Sequence, residues 1–382
     1  GMKVNYDTKA EGWEPLWANV DDASSHEHQW IRHVTKVHEA GIDPYAVFIE
    51  RCREIGVSPW ISMRMNIFTW TDEQDHFSHS SYWKQHPEYW RLRPERSGLD
   101  YNIAAVRQRA MTLVRELLER YDLDGLELDW MRIYELFTPG EEATGGEALS
   151  AFMADVCRLT DQWAQKRGHP IQIGVRVPVE PETAAAIGLD GVAWAKAGLI
   201  DLLVPAPYLD ADFDIPVERW RQLLGPAASR VTIAPCLESD CRGHPDLGPD
   251  TQRWVHNRIE ALRGFAASML DRGADEIYLF NYFDPLYGSS SQVTMDEYMS
   301  MIRQAGRLET IIDQPRRHVV TSRDVVGPGE RYDAKLPVTL TPTTPVRFDL
   351  HIGPKPTTGR VHLRVVLAAG ARAAEALFGI GQ

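Results

Sequence analysis

In the segment 121–132, polar and apolar positions alternate from Gly125 to Trp130. Read with the period of a β-strand, one face carries Leu126, Leu128 and Trp130, and the other carries Gly125, Glu127 and Asp129. Burying two carboxylates costs several kcal/mol unless cations, hydrogen bonds or a proton compensate. The segment therefore predicts a strand whose apolar face packs on a helix and whose acidic face lines a barrel interior and ends in a functional site.

Strand and helix patterns alternate on both sides of this segment. Strands are predicted at 57–66, 171–178, 200–205, 230–235 and 276–282, and helices at 43–55, 102–120, 147–166, 182–197, 216–224 and 250–272. A short first strand is predicted at 2–7, and a third strand near 89–93 or 99–101. Seven or eight such units predict an α/β chain closed into a (β/α)8 TIM barrel. A doubly wound open sheet is the alternative, but no glycine-rich fingerprint follows any strand.

The pattern changes near residue 308. The segments 319–321, 336–340, 346–352 and 361–366 alternate and are separated by proline and glycine turns. They predict a small C-terminal β-sandwich-like domain at 308–382 beside a barrel at 1–307. The sandwich is expected to be incomplete, because the apolar residues of 371–382 have no further strand to pair with.

Composition removes several classes of partner. The 382 residues carry a formal charge of −13 and no Lys/Arg run, which argues against nucleic acid. No apolar segment approaches the roughly 20 residues of a membrane-spanning helix. The N-terminus has no signal core, so the sequence as it stands predicts a cytoplasmic protein. It predicts a periplasmic or secreted one if a signal peptide has been removed. The oligomeric state stays open.

Catalytic groups of such barrels lie at the carboxyl ends of the strands. Those ends supply Arg64 and Asn66 from the second strand, Glu127 and Asp129 from the fourth, Arg176 from the fifth, Tyr208 and Asp210 from the sixth, Glu238 from the seventh and Tyr282 from the eighth. Hydrolysis of a glycosidic bond needs two carboxyl groups, one to protonate the leaving oxygen and one to attack or to activate water. The strand ends meet that requirement.

Other chemistries have weaker signals. His26 and His28, and His76 and His79, have the spacing of metal-ligand pairs, but the fourth, fifth and sixth strands supply no histidine to complete a site. Both pairs are expected to be solvated loop residues, and no metal or cofactor is predicted. No Gly-x-Ser-x-Gly elbow indicates a serine nucleophile.

The segment 99–102, followed by a helix and then by 121–132, resembles the glycoside-hydrolase-like (β/α)8 barrels found in bacterial genomes. The segments 86–90 and 198–205 fit the same pattern, and the resemblance covers about residues 40–285. It implies a glycosidase fold and activity with the acid/base on the fourth strand. It leaves the substrate open.

The family-18 chitinase pattern is matched only in part. Asp124, Gly125 and Asp129 agree with it, whereas Glu127 replaces an aspartate and Met131 stands where that family has its acid. The substrate-assisted mechanism of that family is therefore not expected here.

The leading hypothesis is a metal-independent glycosidase acting on a carbohydrate through Asp129 and Glu238, since that strand placement is shared by many retaining barrel glycosidases. Asp210 is the rival partner for Asp129, and which carboxyl is the acid stays undecided.

The remaining strand-end residues have supporting roles in this hypothesis. Glu127 is expected to pair with Arg64 or Arg176 and to hold Asp129; alternatively, these charges form a purely structural network. Asn66, Tyr208 and Tyr282 are expected to support the site or bind substrate, and Arg132 to lie at the surface. The competing hypothesis is a carbohydrate-binding barrel without catalysis.

Overall fold

A computed structural model describes most of the chain. The described residues are 2–18, 26–67, 71–92, 98–208, 210–242, 254–282, 293–330, 335, 338–339, 341, 343, 345–356, 359–360 and 362; for 26–29, 242, 254 and 255 they include the backbone alone. Trp70, the predicted strand at 361–366 and the ending 371–382 therefore lie wholly or almost wholly outside them.

Helices and strands alternate through the first three quarters of the chain. The helices are α1 His26–Glu39, α2 Pro44–Glu54, α3 Ser81–Gln85, α4 Ala104–Arg120, α5 Glu142–Arg167, α6 Pro181–Ala186, α7 Gly191–Lys196, α8 Val217–Leu224, α9 Ile259–Asp271, α10 Met295–Gln304 and α11 Leu308–Ile311. The strands are β1 Trp60–Arg64, β2 Gly125–Asp129, β3 Gln172–Pro178, β4 Leu202–Ala206, β5 Thr232–Ile233, β6 Cys236–Glu238, β7 Asp240–Arg242, β8 Trp254–His256 and β9 Tyr278–Phe280. None of these helices has the length and hydropathy needed to span a bilayer.

The sheet is parallel, with β1 to β5 in sequence order. Strand β6 follows β5 after a break of two residues and pairs in parallel with β9. β7 and β8 form a separate antiparallel pair beyond it. The α/β class and parallel sheet agree with the sequence prediction. The third strand does not, because β1 pairs directly with β2 and leaves no place between them. The chain near 89–101 makes only an isolated bridge between Trp90 and Leu99.

The sheet is strongly curled. The Tyr278 hydroxyl on β9 donates a hydrogen bond of 3.1 Å to Glu127 on β2, although four strand spacings of a flat sheet would separate those strands by roughly 19 Å. The bond requires the inner faces of the two strands to face each other. No ladder joins β9 to β1 within the described residues, so closure into eight strands remains a prediction.

The two faces of β2 have the environments that their alternation predicts. Leu126, Leu128 and Trp130 are fully buried in the main core. The Trp130 ring packs edge-to-face on Tyr101 and on Phe152 of α5. Trp130 is therefore part of the helix-facing core and is not available to stack on a ligand.

Trp60 forms the floor of the inner face at the amino end of the strands. Its indole lies directly over Gly125 and reaches Gly174, so that a methyl group at Gly125 would lie 2.2 Å from Cδ2 of Trp60 and one at Gly174 would lie 3.0 Å from its Cζ3. Glycine is required at position 125 because the neighbouring ring occupies the volume of a side chain.

Other boundaries differ from the sequence prediction. Helix α2 follows it closely, because Asp43 caps the backbone N–H groups of Tyr45 and Ala46. The helix predicted at 182–197 is divided into α6 and α7, and the start of the one predicted at 250–272 is strand β8. At the N-terminus a single bridge joins Val4 to Pro15 in place of the first strand. No strand is formed after residue 307 in the described part of the chain, so the C-terminal sandwich remains a prediction.

The contact of Trp60 with Gly125 makes position 125 intolerant of a side chain. Gly125→Ala is expected to lower the free energy of unfolding by about 1–3 kcal/mol, because the methyl group overpacks the floor. Urea denaturation measures this loss. Gly306→Ala is the matched control, since nothing lies within 4 Å of its added Cβ. The loss should shrink in a Trp60→Leu background, and equal losses at positions 125 and 306 would refute the packing argument.

Candidate active site

Three charged residues are neighbours across the inner face of the sheet. The strand registers align Arg64 on β1 with Asp129 on β2, and Asp129 with Arg176 on β3. Because all three strands are parallel, the three side chains leave the sheet at the same level near its carboxyl end. The predicted meeting of these residues on one face is therefore present.

Asp129 and Arg176 form a buried ion pair. Nη1 of Arg176 lies 2.8 Å from Oδ2 of Asp129, and each side chain is only 1% exposed. The other carboxylate oxygen of Asp129 accepts a hydrogen bond of 2.9 Å from the backbone N–H of Met131. Burial lowers the pKa of Arg176, but Asp129, Cys236, Tyr278 and Glu127 together outweigh this effect and keep the pKa above its ordinary value. Asp129 is thus enclosed and bound to a cation.

Arg176 is also held by the opposite wall. Its guanidinium lies 3.6 Å above the ring centre of Phe280 on β9. Its Nη2 is 3.9 Å from Sγ of Cys236 on β6. One arginine side chain therefore links the acid on β2 with side chains from the two strands across the interior.

Glu127 has a different environment from the one expected. Its Oε1 accepts hydrogen bonds from the Ser62 hydroxyl at 2.6 Å and from the Tyr278 hydroxyl at 3.1 Å. Arg176 pairs with Asp129 rather than with Glu127, because the register puts it beside residue 129. Burial, together with the nearby Asp129 carboxylate, raises the pKa of Glu127 to about 7.

Glu238 lies at the carboxyl end of β6 and is 3% exposed. Its Oε1 accepts hydrogen bonds from Nδ2 of Asn281 at 2.8 Å and from the backbone N–H of Ser239 at 3.0 Å. Burial raises its pKa to about 7 despite these donors. Asn281 has φ of 59°, in the left-handed region that asparagine tolerates better than most residues. Such a backbone at the end of a strand is typical of functional sites.

A short polar chain connects Glu238 with the β7–β8 pair. The Ser239 hydroxyl lies 3.3 Å from Oε1 of Glu238 and 2.8 Å from Oδ2 of Asp240. Oδ1 of Asp240 is 3.3 Å from Nδ1 of His256, whose hydrogen bond is the largest cause lowering the pKa of Asp240. Glu238 is therefore the inner end of a polar path toward a partly exposed carboxylate.

Asn66 and Arg132 belong to the loops that follow β1 and β2. Asn66 is fully buried and donates to the carbonyl oxygens of Ile133 at 3.4 Å and Glu135 at 3.2 Å, so it supports the loop after β2. Arg132 was expected at the surface but is half-buried, with its Nε enclosed and without a hydrogen-bond partner in the described part of the chain. Arg64 has an exposed side chain, although the protein around its guanidinium desolvates it enough to lower its pKa.

Asp210 and Tyr208 are held by the segment that follows α11. Their backbone N–H groups donate to the Asp324 carboxylate, at 3.2 Å from Asp210 and at 2.9 and 3.0 Å from Tyr208. The adjacent Val325 is buried in an apolar cluster with Val204 and other inner-face residues. This C-terminal segment therefore covers part of the carboxyl end of the sheet, and Asp210, 8% exposed, lies beneath it.

Tyr282 follows β9 directly. Its carbonyl oxygen accepts a hydrogen bond of 3.0 Å from the Tyr298 hydroxyl, and its own hydroxyl is enclosed with no hydrogen-bond partner among the described residues. Burial raises the pKa of Tyr282 well above its ordinary value. The side chain is therefore a neutral phenol whose polar end faces the protein interior.

The candidate histidines have varied environments. His79 is 2% exposed and stacks on Trp83 at a centroid distance of 4.2 Å, so it is not the solvated residue that the sequence suggested. His76 lies 2.8 Å from the Ser78 hydroxyl. The side chains of His26 and His28 lie outside the described residues. Within the described part of the chain, no group of three or more His, Cys, Asp or Glu side chains has the arrangement of a metal site.

Three inner-face contributors were not singled out from the sequence: Ser62, Tyr278 and Phe280. The signal for Tyr278 and Phe280 is the same period-two alternation that identified Glu127, because they alternate with Ile277 and Leu279. Their partners depend on the curl of the sheet, which local alternation does not encode.

Solved structures resemble this chain only distantly. An α-L-fucosidase isoenzyme 2 from Paenibacillus thiaminolyticus is 16% identical, with a TM-score of 0.43 over 69% of this chain and 39% of that protein. The chitinase ChiW from Paenibacillus sp. str. FPU-7 is 11% identical, with a TM-score of 0.45 over 74% of this chain and 37% of that protein. A maltogenic α-amylase, AmyB from Thermotoga neapolitana, is 14% identical, with a TM-score of 0.35 over 73% of this chain and 62% of that protein. This chain spans less than two thirds of each of these glycosidases, and their activities are stated of those proteins alone. No protein-family model and no curated protein matches the sequence.

Breaking the buried pair is expected to destabilise the sheet strongly. Arg176→Met leaves the Asp129 carboxyl group enclosed without a cation, and should cost about 3–5 kcal/mol in urea unfolding. The double variant Asp129→Leu with Arg176→Met should lose less, because no lone charge remains. The control is Glu54→Gln, which breaks the exposed Arg51–Glu54 pair at the same separation of 2.8 Å and should cost less than about 1 kcal/mol. If Arg176→Met costs no more than that control, the pair does not hold the sheet.

Proposed function

We propose that this protein is a glycoside hydrolase in which Glu238 protonates the leaving oxygen of the glycosidic bond. One observation carries the proposal: a carboxyl group at the carboxyl end of an inner strand is 3% exposed and has its pKa raised by burial to about 7. A group with this pKa is about half protonated at pH 7 and gives up its proton readily, as a general acid must.

The hydrogen bonds of Glu238 favour this role. Asn281 and the backbone N–H of Ser239 both donate to Oε1. Oε2 has no hydrogen-bond partner among the described residues, so the acidic proton on that oxygen can be directed at a ligand. Asn281 orients the carboxyl group and remains able to stabilise the carboxylate after proton transfer.

Glu127 is the proposed second carboxyl group. Its Oε1 is bound by Ser62 and Tyr278, and its Oε2 likewise has no hydrogen-bond partner among the described residues. In its ionised form it serves as nucleophile or base, the second function that glycoside hydrolysis requires. Asp129, the sequence-based choice, has a positioning role in this proposal, because its charge is already bound by Arg176.

The second candidate function is carbohydrate binding without catalysis. The buried pair of Asp129 with Arg176 favours it, since an acid fully engaged by an arginine does not attack a substrate. The two functions share the fold and the ligand class. They differ in whether Glu127 and Glu238 exchange protons with the bound sugar.

Turnover of a panel of aryl glycosides separates the two functions. Wild-type protein should hydrolyse at least one of them, and Glu238→Gln should lower kcat by about 10²–10⁴-fold, because an amide donates no proton. Glu127→Gln should also abolish most of the activity. Glu54→Gln, on the exposed face of α2, is the matched control and should keep full activity. Turnover unaffected by Glu238→Gln would remove that residue from the mechanism, and no turnover of any substrate would favour the binding function.

The pH dependence of kcat/KM follows from the same two groups. Above a pH of about 7, activity should fall as Glu238 loses its proton, and below about 7 it should fall as Glu127 becomes protonated. Because both pKa values are raised to the same region, the expected profile is a narrow bell centred near neutrality. A broad plateau between about pH 4 and pH 9 would contradict the assignment, and so would a maximum near pH 4.5.

A further inference from the structure

Two arginines at the rim around Glu238 have no neutralising carboxylate among the described residues. Of Arg64, Arg132 and Arg176, only Arg176 has a carboxylate oxygen within 4.0 Å in the described part of the chain. The positive charge of Arg176 is balanced by Asp129. Arg64 and Arg132 have no such partner among the described residues.

Arg64 and Arg132 lie on adjacent strand ends. Arg64 ends β1 beside Asp129, and Arg132 is three residues beyond Asp129 in the loop after β2. Burial lowers the pKa of Arg64, and the charges of Arg132 and Arg176 lower it further, against the opposing effects of Asp129 and Tyr45. Asn66, two residues beyond Arg64, donates a hydrogen bond of 3.4 Å to the carbonyl oxygen of Ile133, the residue after Arg132. The two strand ends are therefore adjacent, and the two positive charges repel each other.

The same basic pair extends to the proposed acid. Burial dominates the pKa of Glu238, but the positive charges of Arg176 and Arg132 lower it. Cys236 and Tyr282 lie beside Glu238, and burial raises the pKa of each; Asp240 is linked to it through Ser239. Met131, the neighbour of Arg132, packs in one buried cluster with Cys236, two residues before Glu238, so a ligand in contact with Glu238 is close to the charge of Arg132.

The arrangement is costly for the protein alone. The positive charges of Arg132 and Arg64 repel each other, and no carboxylate of the described residues lies within 4.0 Å of either. An anion bound between the two guanidinium groups relieves this repulsion.

We propose that the sugar bound beside Glu238 is a uronic acid whose carboxylate is held by Arg64 and Arg132. Guanidinium groups match the planar geometry of carboxylates and bind them through paired hydrogen bonds. The raised pKa values of Glu127 and Glu238 support the assignment, because both acids repel an anionic ligand less when they are protonated. The inference rests on the proposed function only in taking Glu238 as the centre of the site.

Calorimetric titration of the full chain tests the inference. The Glu238→Gln variant prevents turnover, and the probes are tetrasaccharides of glucuronic and galacturonic acid beside the matched tetrasaccharides of glucose and galactose. At least one uronate should bind about tenfold or more tighter than its neutral counterpart. The preference should decrease between about 20 mM and about 200 mM NaCl, because the contact is partly exposed.

Arginine variants localise the effect. In the same background, Arg64→Gln and Arg132→Gln should each weaken uronate binding about tenfold and leave binding of the neutral sugars unchanged. Arg230→Gln is the matched control: this exposed arginine precedes β5 at the opposite, amino-terminal rim. Thermal unfolding of each variant verifies the fold. Equal affinity for charged and neutral sugars, no binding of any uronate, or uronate binding that both arginine variants preserve would overturn the inference.

Turnover by the wild-type protein separates this inference from the hydrolase proposal. Uronates that bind in an arginine-dependent way but stay intact would refute hydrolysis and support the anionic ligand. Cleavage of neutral sugars that does not depend on Arg64 or Arg132, without binding of uronates, would support hydrolysis and refute the anionic ligand.

Discussion

The inner face of this sheet depends on one buried ion pair, Asp129 with Arg176. Two side chains that are each 1% exposed bring opposite charges into the interior, where a lone charge would cost several kcal/mol. The pair forms because parallel strands β2 and β3 are aligned so that residue 129 lies directly beside residue 176. Phe280 and Cys236 then enclose the guanidinium from the opposite wall. The curl of the sheet therefore brings the opposite wall into contact with the same guanidinium that neutralises Asp129.

Once that pair is satisfied, the remaining polar groups of the inner face acquire distinct properties. Glu127 and Glu238 have no cation within ion-pair distance among the described residues, and burial raises the pKa of both into the range in which proton transfer is useful. Arg64 and Arg132 have no carboxylate within ion-pair distance among the same residues. The face thus contains a buried ion pair, two acids that keep their protons to higher pH than ordinary glutamates, and two arginines without a partner carboxylate in the described part of the chain. This division is the physical basis for proposing both proton donation and recognition of an anionic sugar.

Much of this site could be predicted from alternation alone. The alternation of polar and apolar residues predicted that Glu127 and Asp129 share one face of β2. It also predicted that Arg176 on β3 points to that same side of the sheet, because side-chain direction is a local property of a strand. The partner of Arg176 was not predictable in this way. It depends on the register between two strands that are 43 residues apart along the chain. The same limit explains the wrong third strand, since the direct pairing of β1 with β2 is a property of topology.

Other features escape sequence reasoning because they join distant segments. Asp324 holds the backbone of Tyr208 across 116 residues, and no local signal marks an aspartate in a C-terminal segment as a partner of the strand ends. Arg132 looked like a surface residue because the strand ends before it. The environment of Asn281 is similar: its backbone has a left-handed φ of 59°, and its amide donates to Glu238, which is 43 residues away.

The central claim is that burial on the inner face keeps Glu238 protonated near neutral pH. The most direct test is a ¹³C NMR titration of the full chain with glutamate carboxyl labelling, in which Glu238→Gln assigns the Glu238 resonance. The account predicts that this resonance titrates with a pKa near 7. Titration near the ordinary value of 4.5 would contradict it, because Glu238 would then be an ionised carboxylate with no proton to donate.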